Sequence, residues 1–457
     1  MNIPELIQAQ KNFFATQQTK NISFRVNALK RLQKELIKRE NDIIKALYAD
    51  FKKSAYEAVM TETSIVLAEL KMAIKNCHSW SKPKRVLPSL LNFPSSAKIY
   101  KEPYGTTLII APWNYPHQLA FAPLLGAITA GNTIILKPSE LTPHVSKITK
   151  EIIEAVFDKN HVAVIEGGIA VSQELLAQRW DYIFFTGSVP VGKIVAKAAA
   201  EHLTPITLEL GGKSPCIIDE TANIPLTAKR LVWGKFLNAG QTCIAPDYLL
   251  IHKSVKENFI KHFKEEIINA YGENPQNSSD FPRIVNTRNF DRLALLLKDE
   301  NCIIGGQTDR EKRYISPTLI DEPSLNSEVM KEEIFGPILP LISYQKEEDF
   351  DKIISNYNKP LALYVFTTRN SFTKKIIAKY SFGGGTINDT TVHFANHRLP
   401  FGGVGESGIG SYHGKQSFET FSHQKGVVTR KNWLDIPVRY APYKGKLKQL
   451  KMLLKIS

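Results

Sequence analysis

Cysteine is scarce in this chain. Cys77, Cys216, Cys243 and Cys302 stand far apart in 457 residues, which excludes a disulfide framework and a clustered metal-ligand pattern. Such usage suits a reducing cytoplasm, where a free thiolate survives. Long apolar runs are also missing. Stretches such as 108–111 and 183–185 fall far short of the roughly 20 residues that a membrane-spanning helix needs. Residues 1–10 carry Glu5, Gln8 and Gln10 with no basic start and no long apolar run, so no secretory leader is expected. These absences lead to the expectation of a soluble cytoplasmic body that holds no metal.

Acidic residues are the minority, 44 against 59 Lys and Arg, for a formal charge of +15. Such an excess raises nucleic acid or an anionic membrane as partners. The lysines are scattered and no nucleic-acid-binding motif is present, so no nucleic-acid partner is expected. Acid is absent from the last twenty or so residues. In 441–457, Lys444, Lys446, Lys448, Lys451 and Lys455 alternate with apolar residues, and Leu447, Leu450 and Leu454 fall at helical spacing. A weak peripheral contact with a membrane surface is one reading of this tail. A solvated tail, or one packed on a partner subunit, is the other.

With 43% hydrophobic and 23% charged residues, the chain is long enough for two or three domains. Val26, Leu29, Leu32, Leu36, Ile43, Ile44 and Leu47 recur at helical spacing, which predicts a helical N-terminal region. From Thr106 onward, short apolar runs at 108–111, 133–136, 162–165, 183–185 and 206–210 alternate with amphipathic stretches at 145–157, 172–178 and 191–203. That alternation predicts βαβ units on a parallel sheet, with ligands beyond the carboxyl ends of the strands. A second α/β stretch runs from about 214 to 388, with a soft boundary at Gly211 and Gly212.

Four positions stand out against this frame. Gly187 to Ile194 follows a strand and opens a helix, and its Gly and Lys spacing approaches a triphosphate-binding loop. Ile194 stands where that loop needs a Ser or Thr hydroxyl for magnesium, which excludes the triphosphatase reading. A phosphate at a helix N-terminus and a plain tight turn both stay open. Cys243 follows a helical stretch at 226–237 and reads either as a buried small hydrophobe or as a nucleophile. Glu209 interrupts the apolar strand 206–210, either as a proton acceptor or as a solvent-facing carboxylate at a sheet edge. Asn114, bracketed by Pro112 and Pro116, sits in a stiffened turn where its amide could hold an oxyanion.

Taken in order, seven segments resemble the aldehyde dehydrogenase superfamily: Pro112-Trp113-Asn114-Tyr115-Pro116, Lys137-Pro138-Ser139-Glu140, Phe185-Thr186-Gly187-Ser188 with Gly192, Leu208-Glu209-Leu210-Gly211-Gly212-Lys213, Gly240-Gln241-Thr242-Cys243, Glu332 to Pro337, and Leu399 to Gly405. The short N-terminus, the run from Gly240 to Tyr248, and Ser411 to Phe418 resemble its class 3 branch, which acts on aromatic and medium- to long-chain fatty aldehydes. The resemblance implies an α/β fold. Its cofactor-binding domain would span 1–82 and 105–210, its catalytic domain 211–390, and its oligomerisation arm 83–104 and 420–440, with 441–457 as the tail. It also implies a homodimer.

The resemblance implies roles as well. Cys243 would attack the aldehyde, Asn114 and the Cys243 amide would hold the oxyanion, and Glu209 would activate water against the thioester. NAD or NADP would be held by Lys137 and Glu140 at the adenosine ribose, by Gly187, Ser188 and Gly192 at the pyrophosphate, and by Glu333 and Phe335 at the nicotinamide ribose. A coenzyme A-acylating dehydrogenase, and a cofactor-free cysteine hydrolase pairing Cys243 with His413, are the alternatives.

Overall fold

The computed structural model describes residues 2–89 and 92–456. An N-terminal helical layer comes first. Helix Ile22–Lys38 is capped by the Asn21 side chain and buries Ala28, Leu29, Leu32 and Leu36, the i, i+1, i+4, i+8 stripe of one helical face. Helices Glu40–Phe51 and Ser64–Ser81 follow, joined by the short helix Ala55–Ala58 and a π-helical turn, Val59–Thr63.

The first large sheet has six strands in the order Gly408–Ile409, Ile206–Glu209, Tyr182–Thr186, Thr106–Ile110, Thr133–Lys137, Val162–Val164. The last five are parallel. Every residue of Thr106–Ile110 and Thr133–Lys137 is buried, as expected where helices cover both faces. Side chains alternate between two cores: Leu108, Ile110, Ile135, Ile183, Phe185 and Leu208 pack on one face, and Ile109, Ile134, Leu136 and Phe184 on the other. Chain order reverses at Thr106–Ile110, so a crevice opens beyond its carboxyl end and that of Tyr182–Thr186.

The second sheet has seven strands, in the order Cys302–Ile304, Thr318–Asp321, Ile338–Tyr344, Tyr248–His252, Pro215–Ile218, Ala362–Phe366, Gly384–Ile387, parallel apart from the first. A third, antiparallel sheet pairs Ser95–Pro103 with Ser422–Arg430 over nine residues and with Lys84–Val86. The chain ends its described course in the helix Leu447–Ile456. Among the described residues no helix is long and apolar enough to cross a membrane, and no group of His, Cys, Asp or Glu is arranged to hold a metal ion.

Candidate active site

The two sheets meet at a cavity of about 160 Å³ whose lining includes Cys243, Glu209, Tyr115, Gln118, Trp233, Phe401 and Tyr412. Cys243 lies between helix Ile224–Phe236 and strand Tyr248–His252. The turn leading to it holds three successive residues in the left-handed region, Asn238 (φ 54°), Ala239 (φ 52°) and Gly240 (φ 73°). Two are not glycine, and such backbone persists only where its surroundings enforce it. Gln241 supplies much of that enforcement. Its Nε2 donates to the carbonyls of Asn238 (3.0 Å) and Arg283 (3.1 Å), and its Oε1 accepts from the Val285 N–H (3.0 Å).

Asn114 reaches the same turn from the first sheet. Its Nδ2 donates to the Gln241 carbonyl at 3.2 Å, two residues before Cys243, while the Asn238 amide donates to the Asn114 carbonyl at 2.8 Å. An amide nitrogen carries two N–H donors, so one can face a reacting oxygen. Beside it the Tyr115 hydroxyl meets Thr242 Oγ1 at 2.6 Å. The Cys243 thiol is pushed well above its ordinary pKa, first by burial and then by the carboxylates of Glu333 and Glu209, against the pull of the Cys243 and Ile244 backbone amides.

Glu209 is not on an edge. Its strand lies between Tyr182–Thr186 and Gly408–Ile409, and the side chain is 2% exposed. Leu208 and Leu210 take one face, which turns Glu209 to the other, toward the second sheet and the cavity. Among the described residues neither carboxylate oxygen has a hydrogen-bond partner, and burial raises its pKa well above the carboxylate range. A buried, unpartnered carboxylate is a strong proton acceptor waiting for a donor.

The remaining sequence-nominated residues lie around the crevice. Lys137 closes its strand with the side chain buried and Nζ 2.6 Å from Glu140 Oε2. Gly187 donates its N–H to the Glu209 carbonyl at 3.0 Å. Ser188 is the N-cap of helix Val189–Ala200, makes no side-chain capping bond and leaves the first-turn amides to solvent or a ligand. A Cβ on Gly192 would stand 2.7 Å from Leu210 Cδ2, so glycine there lets this helix press on the strand. Glu333 packs over Gly211, accepts the Gly212 N–H, and is pushed up to about 8 by burial and Asp247. Phe335, itself in the left-handed region (φ 53°), meets the Trp113 ring edge-on at 5.2 Å.

His413 is elsewhere. Its ring stacks on Phe401 and meets Phe394 and Tyr412 edge-on, is absent from the cavity lining, and burial lowers its pKa to about 4. Sequence reasoning passed over Gln241, Asn238, Tyr115, Tyr412, Glu57 and Glu62, all of which touch or brace the site. Left-handed φ and buried carboxylates leave no mark in periodicity. Gln241, Tyr115 and Tyr412 do lie inside the segments that carry the family resemblance.

Residues 1–427 match the aldehyde dehydrogenase family. The chain is 52% identical to the 4,4'-diaponeurosporen-aldehyde dehydrogenase of Staphylococcus aureus, over 97% of each chain. It is 44% identical to aldehyde dehydrogenase family 3 member A2 of Macaca fascicularis, over 93% of this chain and 87% of the relative. The structure of the substrate-bound state of Staphylococcus aureus AldH superposes with a TM-score of 0.97 at 51% identity, covering 99% of this chain and all of that one. A Mycobacterium tuberculosis aldehyde dehydrogenase complexed with NAD+ matches at 0.84 and 25% identity, over 94% and 90%. With thiol and carboxylate lining one cavity between two α/β sheets and the Asn114 amide bonded to the turn before the thiol, this chain belongs to the aldehyde dehydrogenase family and is an oxidoreductase of aldehydes.

Proposed function

We propose that this chain oxidises apolar aldehydes to carboxylic acids with NAD or NADP through a thioester on Cys243. The observation that carries the proposal is the placement of Cys243 and Glu209 in one cavity, with both Glu209 oxygens unpartnered among the described residues. The Cys243 sulfur bonds to the aldehyde carbon as its proton passes to water, and the new oxyanion accepts the Cys243 N–H and the second N–H of Asn114. A nicotinamide cofactor held at this site would supply the hydride acceptor that the oxidation of this carbon to a thioester requires. Glu209 then takes a proton from water, the hydroxide adds to the thioester, and the C–S bond breaks to release the Cys243 thiolate, which is reprotonated by the proton held on Glu209.

The cofactor-site residues fit such a group. Gly192 leaves no Cβ between helix Val189–Ala200 and its strand, the Ser188 end of that helix offers amides to a pyrophosphate, and Glu140 and Glu333 offer carboxylates to ribose hydroxyls. The cavity walls, with Met60, Ile65, Leu119, Trp233 and Phe401, are apolar. They suit the aromatic and medium- to long-chain aldehydes expected from sequence, and the aldehyde named for the Staphylococcus aureus relative supports the same class. The sheet formed by Ser95–Pro103 and Ser422–Arg430 is assigned to subunit pairing, and the basic helix Leu447–Ile456 to a weak anionic membrane contact. Absorbance of reduced nicotinamide tests the activity, with an aldehyde panel and each cofactor. An aldehyde-dependent rise with either cofactor is expected. A flat trace across the panel with both would overturn the reading.

A further inference from the structure

Three charged side chains are buried together in the N-terminal helical layer, behind the catalytic cavity. Lys53, wholly buried, lies 2.6 Å from Glu62 Oε1 and places its Nζ 4.6 Å from the centre of the Tyr115 ring. Glu62 Oε2 accepts the backbone N–H groups of His117 (2.9 Å) and Gln118 (3.2 Å), where helix Gln118–Ala130 begins, just after Asn114 and Tyr115. Glu57, from the helix one turn earlier, crosses to the other sheet's side of the cavity, and its Oε1 accepts the N–H of Asn238 at 2.9 Å. Asn238 is the first of the left-handed residues before Cys243, and its own side chain bonds the Asn114 and Gln241 carbonyls.

We propose that Glu57 is a positioning residue for the Cys243 turn, carried on the same helical stretch as Glu62, whose carboxylate holds the segment after Asn114, so that thiol and oxyanion donors keep one register. The carboxylate touches no reacting atom in this scheme. It satisfies a backbone donor that the φ of 54° at Asn238 leaves outside any helix. A carboxylate is a costly way to do so, because burial raises its pKa to about 7 against the opposing pull of Lys53 and the Asn238 N–H, with Glu62 and Asp280 adding repulsion. Removing this acceptor would leave the buried Asn238 N–H unpaired, so the carboxylate is placed where it fixes the geometry of the turn.

The inference rests on the Cys243 chemistry proposed above, and stopped-flow detection of reduced cofactor separates the two. Absence of any aldehyde-dependent reduced cofactor in the unaltered enzyme would sink the chemistry itself. Given that signal, Glu57→Leu is expected to fold and to bind cofactor equally well, with a melting temperature lowered by the unpaired Asn238 N–H, yet to slow the first turnover about 10- to 100-fold, as misplaced reacting groups do. Glu57→Gln, which keeps an oxygen acceptor, is expected to restore most of the rate. A folded Glu57→Leu with a first turnover within about twofold of normal would overturn the proposal. So would a Leu variant that fails to fold, because the carboxylate would then serve stability.

Discussion

Glu209 must be basic enough to take a proton from water and yet lie where water is scarce. Burial raises its pKa, and neither oxygen is satisfied among the described residues. The same burial acts on stability. Between the unfolded carboxylate's range near pH 4 and the raised native value, the unfolded chain releases the proton first, so it binds fewer protons than the native state and stability falls as pH rises. Glu209→Gln should therefore raise the melting temperature more at pH 8 than at pH 5, and an equal effect at both would show that the carboxylate is not held at a raised pKa. Cys243→Ser is expected to bind cofactor normally and lose oxidation, since a serine hydroxyl is far harder to ionise than a thiol of pKa roughly 8.5. Near-normal turnover in that variant, by reduced-cofactor absorbance, would remove Cys243 from the chemistry.

At the scale of elements, alternation of strand and helix was legible because the strands of a covered parallel sheet are short apolar runs. The strand expected at 206–210 is Ile206–Glu209, and the helix expected at 226–237 is Ile224–Phe236, shifted by a residue or two where caps decide the ends. What stayed out of reach was geometry without periodicity. The antiparallel partner Gly408–Ile409, which takes Glu209 off the sheet edge, is only two residues long. The strained turn at 238–240 is set by Gln241, Glu57 and the packing of Gly240. A Cβ on Gly240 would lie 2.3 Å from the Gly336 carbonyl oxygen, and its φ is 73°. Gly240→Ala should thus cost about 1–3 kcal/mol or more by denaturant unfolding and depress the burst. Unchanged stability would mean that the turn is free to relax.

Across the whole molecule the basic residues are scattered, but the acid-free basic stretch at the end lies on a largely exposed segment. From 436 to the end the chain carries Arg439 and five lysines and no acid. Helix Leu447–Ile456 leaves Leu447 63% and Leu454 51% exposed, with Trp433 and Tyr443 also open to solvent nearby. At about 1 kcal/mol per basic residue near an anionic surface, before screening and ordering costs, five lysines support a weak contact. Full-length chain should co-sediment with anionic vesicles at low salt more than a chain ending at Pro442, and less with zwitterionic ones. Equal pelleting of both, or of neither, would rule the contact out and leave the helix to the partner subunit or to solvent. The central claim, a thioester on Cys243 released by Glu209, is tested most directly by mixing Glu209→Gln with aldehyde and cofactor. One burst of reduced cofactor per active site is expected, followed by a stall, with the acyl mass found on Cys243 in the intact protein. Steady turnover at the unaltered rate, or a stall without any acyl adduct, would contradict it.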